Sequence, residues 1–415
     1  MKRTLDSVIE RRLRSSGAVL IIGPKGCGKS TTGSQIAKNE VRLQDPENSD
    51  IVFTAKTNPS AVLRGEPPLL IDEWQIVPSI WDAVRSEVDR RKDMGQFILT
   101  GSSVPQDDGL RHSGVGRIAE IRMRTMSLCE SGDSSGSVSL RDLFGGKPAA
   151  DCRSKHKLED IAFLTVRGGW PRSIGMDPEY AGDAAENYYN GTIGIDVFRV
   201  DGKKKDSGAV DRLMRSYSRN ISAMASMKTI IDDVRTYEQA VSASTVENYT
   251  DALKRLYIIE DVPAWGPSIR SRETIRRTPK RHLADPSLAA ASLKLGPERL
   301  MNDMNTFGLF FESLCVRDMR VYSQLLDGTV YHYHDGNDAE VDLIVQLRDG
   351  RWGAAEAKIG ASGIESGVSN LLKLKSIAES SGYAPPSFMI ILTATGYVSD
   401  LGNGVAVVPI GCLGP

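Results

Sequence analysis

No run of apolar residues in this 415-residue chain approaches the length of a bilayer span, which argues against a membrane-embedded protein and a membrane partner. The apolar run near the start, "AVLII" (18–22), ends in a glycine loop without a cleavage-site pattern, so it reads as a buried strand and not a signal peptide. There is no CxxC pair, and the five cysteines (Cys27, Cys129, Cys152, Cys315, Cys412) are odd in number and far apart. That spacing argues against a structural zinc site and leaves a reduced, cytoplasmic protein as the expectation. A net charge of −1 gives no global basic character to read as nucleic-acid binding. No internal repeat is evident, so a repeat array is not expected.

What is present is an ordinary globular composition and a length that suggests two or three domains. Strands alternate with helices from the start. "AVLII" feeds "GPKGCGKSTTGSQIA", "PPLLIDEWQ" (67–75) precedes a helical pattern, and "GQFILTGSS" (95–103) is a third apolar strand. Continuous apolar runs between helices indicate a parallel sheet covered on both faces. Residues 1–130 are therefore expected to form an α/β core, and 131–208 a helical lid and linker ending at "DGKKKDSG". Residues 209–265 contain three helix-like stretches and an extended exit, the order of a winged helix-turn-helix. In the last of them Ser244 is the expected N-cap, with 244–256 as the recognition helix. Its bases there are only Lys254 and Arg255, which favours a lid or interface over groove reading. Residues 266–415 are expected to hold a smaller α/β domain, with strands at 329–334, 340–347 and 351–358.

Gly23, Pro24, Lys25, Gly26, Cys27, Gly28, Lys29 and Ser30 match GxxxxGK[ST] without a mismatch, after a strand and before a helix that continues with Thr31. Such a loop wraps backbone N–H groups around phosphate oxygens, and the helix N-terminus adds partial positive charge. Lys29 then reaches the β and γ phosphates of ATP, and the Ser30 hydroxyl holds Mg²⁺. Asp72 is placed to hold Mg²⁺ through water and Glu73 to polarise the attacking water. Thr100, ending the third strand, suits reading of the γ-phosphate or orientation of that water, unless it is an ordinary strand-end threonine.

The loop, "LLIDEWQ", "ILTGSS", "GVGRIAEIRMRTMSL" and "RGGWP" together resemble the bacterial and archaeal P-loop ATPases of the AAA+/STAND type. In those a restriction-endonuclease-like C-terminal domain of unknown function (DUF4143-like) follows the ATPase core. The resemblance continues through "TPKRHLADPSL", "LFFESLCVRD" and "EVDLIV…EAK". It implies that Thr100 is a sensor residue and that Arg117 stabilises charge, in trans if the chains form a ring. A structural Arg117 bonded to loop carbonyls is the competing reading. It also implies that Gly169 and Pro171 of "GWP" cap the nucleotide base.

Restriction-endonuclease-like domains carry a helix with Glu, a strand with Asp and a strand with Glu-x-Lys; Glu312, Asp342, Glu356 and Lys358 match in order and type. On that likeness Glu312, Asp342 and Glu356 hold Mg²⁺ against a scissile phosphate and Lys358 stabilises the charge that develops. The hairpin sets a geometric condition. A two-residue loop at Asp349-Gly350 puts Asp342 and Glu356 on opposite faces, whereas a three-residue loop, Arg348-Asp349-Gly350, sets them directly across from each other. Glycine at the third position of such a loop favours the second form. "RSRETIRRTPKRH" (270–282), with Arg270, Arg272, Arg276, Arg277, Lys280 and Arg281, is the expected DNA-backbone contact. His332, His334 and Asp335 are not expected to be ligands. The functional expectation is an ATP-dependent switch coupled to a DNA-binding domain with or without nuclease activity. The alternative is a silent output domain that binds a protein.

Overall fold

The computed structural model describes residues 2–102, 114–147, 149, 151–197, 206–237, 241–267, 278–336 and 339–415. They group into two compact units, Met1–Arg124 with Ile195–Lys205 and Asp251–Ile258, and Thr125–Gly194 with Asp206–Thr250 and Ile259–Pro415. The four segments expected from the sequence are thus regrouped. Residues 131–194 share hydrogen bonds with the C-terminal part, and pattern along the chain does not register such long-range ties.

In the first unit, five parallel strands take the order β2-β3-β4-β1-β5. They are β1 (Ala18–Ile22), β2 (Asn39–Arg42), β3 (Leu69–Asp72), β4 (Phe97–Gly101) and β5 (Ile118–Arg122). The three strands legible as apolar runs, β1, β3 and β4, are buried at every position and occupy the middle of the sheet. The two that were not read as strands lie at the edges. β2, "NEVR", is mostly exposed, which is how edge strands are written. The core joins Leu20 and Ile22 of β1, Leu69 and Ile71 of β3, and Phe97 and Leu99 of β4 to Ile80, Val84 and Val88 of the helix Ser79–Arg91. Insertion of β4 between β1 and β3 matters for the site, because it brings the C-terminal ends of all three to one edge.

The second unit contains a six-stranded mixed sheet, order β11-β12-β10-β9-β8-β7. After a short strand β6 (Val138–Ser139) come β7 (Thr329–His334), β8 (Glu340–Gln346), β9 (Trp352–Lys358), β10 (Met389–Thr393), β11 (Ser399–Asp400), β12 (Val405–Pro409) and β13 (Leu413–Gly414), the last paired with β6. Trp265, Ile344, Trp352 and Ala354 meet Leu371 and Leu374 of the helix Ile364–Ser380 in one core. Three helices, Ser207–Arg219, Met227–Tyr237 and Ala243–Arg255, stand where the helix-turn-helix was expected. Antiparallel bridges Ile259↔Leu283 and Val262↔Lys280 follow. Ser244 is not the N-cap: the third helix starts at Ala243, and the Ser242 hydroxyl accepts from the Thr245 N–H at 3.1 Å.

A buried guanidinium ties distant segments of this unit together. Arg317, in the long helix Met304–Gln324, donates to Asp318 (2.7 and 2.9 Å) and to Asp285 (3.3 Å). Asp285 also accepts from the Thr125 hydroxyl (2.7 Å), the Gly169 N–H (2.9 Å) and Ser287, while Asp318 accepts from the Leu128 N–H (3.0 Å). Burial disfavours the ionised form of Asp285, but Arg317 and these hydrogen bonds hold its pKa below the ordinary value. Removing Asp285 leaves Arg317 paired with Asp318 but strips the acceptor from the Thr125 hydroxyl and the Gly169 N–H, and each buried donor left unsatisfied costs about 1–3 kcal/mol. Asp285→Ala is therefore expected to lower the urea midpoint of this unit by that equivalent, with Asp285→Asn milder. Equal midpoints for wild type and Asp285→Ala would mean that other acceptors take over the donors that Asp285 now serves.

Candidate nucleotide site and a buried charge cluster

The loop after β1 delivers Lys29 to the start of the helix Lys29–Ile36, with Gly28 before it in the left-handed region (φ 105°). Lys29 is almost completely buried, and its ammonium donates to the carbonyls of Gly23 and Pro24, both at 2.9 Å. A buried cation held by neutral acceptors is an arrangement that favours an incoming anion. Arg3 braces the loop from behind, donating to the Cys27 carbonyl (2.8 Å) and the Arg124 carbonyl (2.9 Å). Cys27 is buried beside Met123, whereas Lys25 lies exposed against Asp196. Ser30, Thr31, Ser34, Gln35 and Arg42 line an open surface cavity of about 300 Å³.

At the neighbouring strand ends, the Thr100 hydroxyl donates to Asp72 (2.5 Å) and accepts from the Glu73 N–H (3.1 Å). Glu73 itself sits at φ 54°, and its carboxylate accepts from Gln75 and from the Ser102 hydroxyl (3.1 Å). Thr100 is fully buried. It can touch both acids because β4 runs between β1 and β3. Arg117 is on the surface, paired with Asp89 at 2.7 Å and bonded to the Val115 carbonyl at 3.4 Å. Gly169 and Pro171 belong to the second unit. There the Gly169 carbonyl accepts from Met126, and an added Cβ would meet the Met126 carbonyl oxygen at 2.0 Å, so close backbone packing accounts for this glycine.

In the second unit the hairpin has the three-residue loop. The Leu347 N–H donates to the Arg351 carbonyl, Gly350 is left-handed (φ 90°), and the ladder pairs Leu343 with Ala355 and Ile344 with Ala354. Continued by one position, that register sets Asp342 across from Glu356. Lys358 lies 2.5 Å from Glu356 and 3.5 Å from Asp342, and Asn370 donates to Glu356 at 3.1 Å. Glu312 joins the group through a residue assigned elsewhere by the sequence. Lys280 sends its ammonium to Glu312 (2.8 Å), Glu340 (2.9 Å) and Asp342 (2.9 Å).

Lys280 and Arg281 are therefore not surface phosphate contacts. Both are buried, and Arg281 is paired with Asp261 at 2.7 Å. Arg270, Arg272, Arg276 and Arg277 lie outside the described residues. Backbone pairing with Val262 fixes Lys280 at the sheet, and no local signal in "TPKRH" distinguishes it from its basic neighbours. As a set of Mg²⁺ ligands, Glu312, Asp342 and Glu356 do not fit: an ammonium stands among the oxygens that a hard cation would need. No group of three or more His, Cys, Asp or Glu side chains arranged for a metal is found among the described residues. At the phosphate loop the donors, Ser30 and Asp72, are oxygen atoms of the kind Mg²⁺ prefers.

Family models place these two regions. An AAA domain matches residues 15–131 and a domain of unknown function, DUF4143, matches 307–413; a second domain of unknown function, DUF8612, matches 158–299 between them. The phosphate loop with β1, β3 and β4 thus lies in a stretch that matches an AAA domain, and Glu312, Asp342, Glu356 and Lys358 lie in one that matches DUF4143. The chain's curated relatives include the uncharacterized proteins Rv2008c of Mycobacterium tuberculosis and Mb2031c of Mycobacterium bovis, each 23% identical over 352 residues, 83% of this chain and 71% of theirs. Among solved structures it is similar to a Walker-type ATPase of Pyrococcus abyssi (12% identity, 69% of this chain and 94% of that one, TM-score 0.35). AMPPCP-bound DnaA from Aquifex aeolicus is another (14% identity, 60% and 86%, TM-score 0.29). Likenesses this distant add nothing to what the strand order states. No helix among the described residues is long and apolar enough to cross a membrane.

The DUF4143 cluster carries its own pH dependence. Burial, reinforced by Asp342, pushes Glu312 up to about 8 and Glu356 up to about 9 against the pull of the lysines. Asp342 moves the other way: Lys280 and Lys358 outweigh its burial and keep it ionised. Between the ordinary glutamate value of 4.5 and these raised values, the folded chain binds protons that the unfolded chain has released. Stability from these two groups is thus complete below pH 4.5 and is progressively lost as pH rises through 8 and 9. Urea midpoints of the second unit should fall between about pH 6 and pH 9, with a shallower fall in Glu312→Gln. A flat wild-type profile over that range would contradict this assignment of protons.

Proposed function

We propose that this protein binds and hydrolyses ATP with Mg²⁺ and uses the cycle as a switch, with a DUF4143 domain that is catalytically silent and binds a protein partner. The observation that supports the first part is the buried Lys29 ammonium, turned into the loop's own carbonyls at a helix start. In this reading Lys29 passes from those carbonyls to phosphate oxygens, with loop residues Gly23 to Ser30 and Thr31 around them. Ser30 and Asp72 hold Mg²⁺, which when bound offsets phosphate charge. Glu73 orients and deprotonates the attacking water, and Thr100 positions both acids through the bonds it already makes. Arg117, tied to Asp89, is not given a catalytic role, so no ring is invoked. The helices of 209–265 are taken as a lid or interface in winged-helix order.

Lys29→Ala is expected to abolish nucleotide binding in titration calorimetry. Glu73→Gln should retain binding while turnover falls roughly 10²–10⁴-fold, the usual share of a general base. A Glu73→Gln variant as active as wild type would remove Glu73 from the chemistry.

The silent reading of the DUF4143 domain rests on Lys280 standing among Glu312, Glu340 and Asp342. A second reading, a Mg²⁺-dependent nuclease acting on DNA, is supported by the hairpin register that aligns Asp342 with Glu356 beside Lys358. Nicking of supercoiled plasmid with Mg²⁺ or Mn²⁺, with and without ATP, separates the two. We expect none from wild type or from Asp342→Asn. Nicking by wild type that Asp342→Asn abolishes would establish the nuclease. Protein recognition also predicts weak DNA affinity with little dependence on salt, since few counterions are released.

A further inference from the structure

The five cysteines include one pair that the fold brings together across 260 residues. The Sγ atoms of Cys152 and Cys412 are 2.7 Å apart, both thiols being reduced in this structure. Two separate sets of backbone contacts hold them there. On one side the Ser135 N–H donates to the Gly411 carbonyl (2.9 Å), and β13 pairs with β6 immediately beyond Cys412. On the other, the Val398 N–H donates to the Cys152 carbonyl (2.7 Å), next to an antiparallel bridge between Arg153 and Tyr397. The thiols meet because both chain segments are already anchored, so a bond between them asks for a sulfur displacement of well under 1 Å toward the ordinary disulfide length of about 2.05 Å.

We infer that Cys152 and Cys412 are a thiol–disulfide exchange site for low-molecular-weight disulfides, with Cys152 attacking and Cys412 resolving. Cys152 is half-buried and therefore reachable, with the Ser135 hydroxyl 3.3 Å from its sulfur; Cys412 is buried behind it. Burial raises the Cys152 pKa, but hydrogen bonds with Cys412, Ser135 and Ser137 outweigh it and bring the group below its ordinary value. Cys412 is pushed up to about 12, by burial first and then by Cys152. This asymmetry assigns the order of events, since the thiolate is the nucleophile. The Cys152 thiolate attacks one sulfur of R–S–S–R, forming a Cys152–S–S–R bond and expelling R–S⁻, which takes up the proton that Cys152 lost. The Cys412 sulfur, giving up its proton, then attacks the Cys152 sulfur. The second R–S⁻ leaves and is protonated. In sum, two protein thiols are oxidised to one disulfide and one R–S–S–R is reduced to two R–SH. Of the other cysteines, Cys27 and Cys315 are buried, and burial holds the half-buried Cys129 above its ordinary pKa.

The test is oxidation of the reduced full-length chain with oxidised glutathione, followed by thiol counting and peptide mapping. Free thiols should drop from five to three, with a single cross-link between the peptides holding Cys152 and Cys412. In Cys412→Ser, Cys152 should stop at the mixed disulfide with glutathione, a species that does not accumulate in wild type. In Cys152→Ser, Cys412 should react at least tenfold more slowly than Cys152 does in wild type. Preferential modification of Cys129, or a wild-type protein that stops at the Cys152 mixed disulfide as Cys412→Ser does, overturns the proposal.

Discussion

The second unit depends on one buried guanidinium. Arg317 lies between Asp285 and Asp318, and those two carboxylates collect the Thr125 hydroxyl and the N–H groups of Leu128 and Gly169. A cation of this kind is costly to bury alone, and here two carboxylates compensate it. Each segment that supplies a donor is therefore held where the charge balance requires it. The stretches that carry the family likeness ("RTMSL", "RGGWP", "HLADPSL" and "SLCVRD") all converge on this hub. Much of what reads as a functional signature in them is architecture.

Lys280 repeats the same principle at the sheet. Three carboxylates close to one another repel unless a cation sits among them, and a metal ion or an ammonium can fill that role. Here the chain provides the ammonium, placed by the Val262–Lys280 pairing. That ammonium engages one oxygen each of Glu312, Glu340 and Asp342, while Lys358 pairs with Glu356. Raised proton affinity at Glu312 and Glu356 follows from burial first and from the neighbouring Asp342 charge second.

Much of the nucleotide site is legible residue by residue. GPKGCGKS and LLIDEWQ are short, local and strongly constrained, since a phosphate loop needs glycines at set spacings and a buried strand needs continuous apolar residues. The hairpin loop was legible for a similar reason, because Asp349-Gly350 offers few turn geometries and register follows from the turn. Edge strand β2 was not, because exposed strands carry no apolar pattern. Arg3 gave no signal either, since the Cys27 and Arg124 carbonyls that its guanidinium reaches lie more than twenty positions away.

By itself the amino-acid sequence determined the α/β class, the phosphate loop, the acids that follow it and the three strands between 329 and 358, all of which depend on residues near one another in the chain. Only the tertiary structure decided that Lys280 belongs to a carboxylate cluster and not to a basic surface. The same holds for Gly169 packing on Met126 and for Cys152 meeting Cys412. Each of those outcomes joins residues tens to hundreds of positions apart, and it is set by burial and charge compensation in the folded core, to which local pattern is blind.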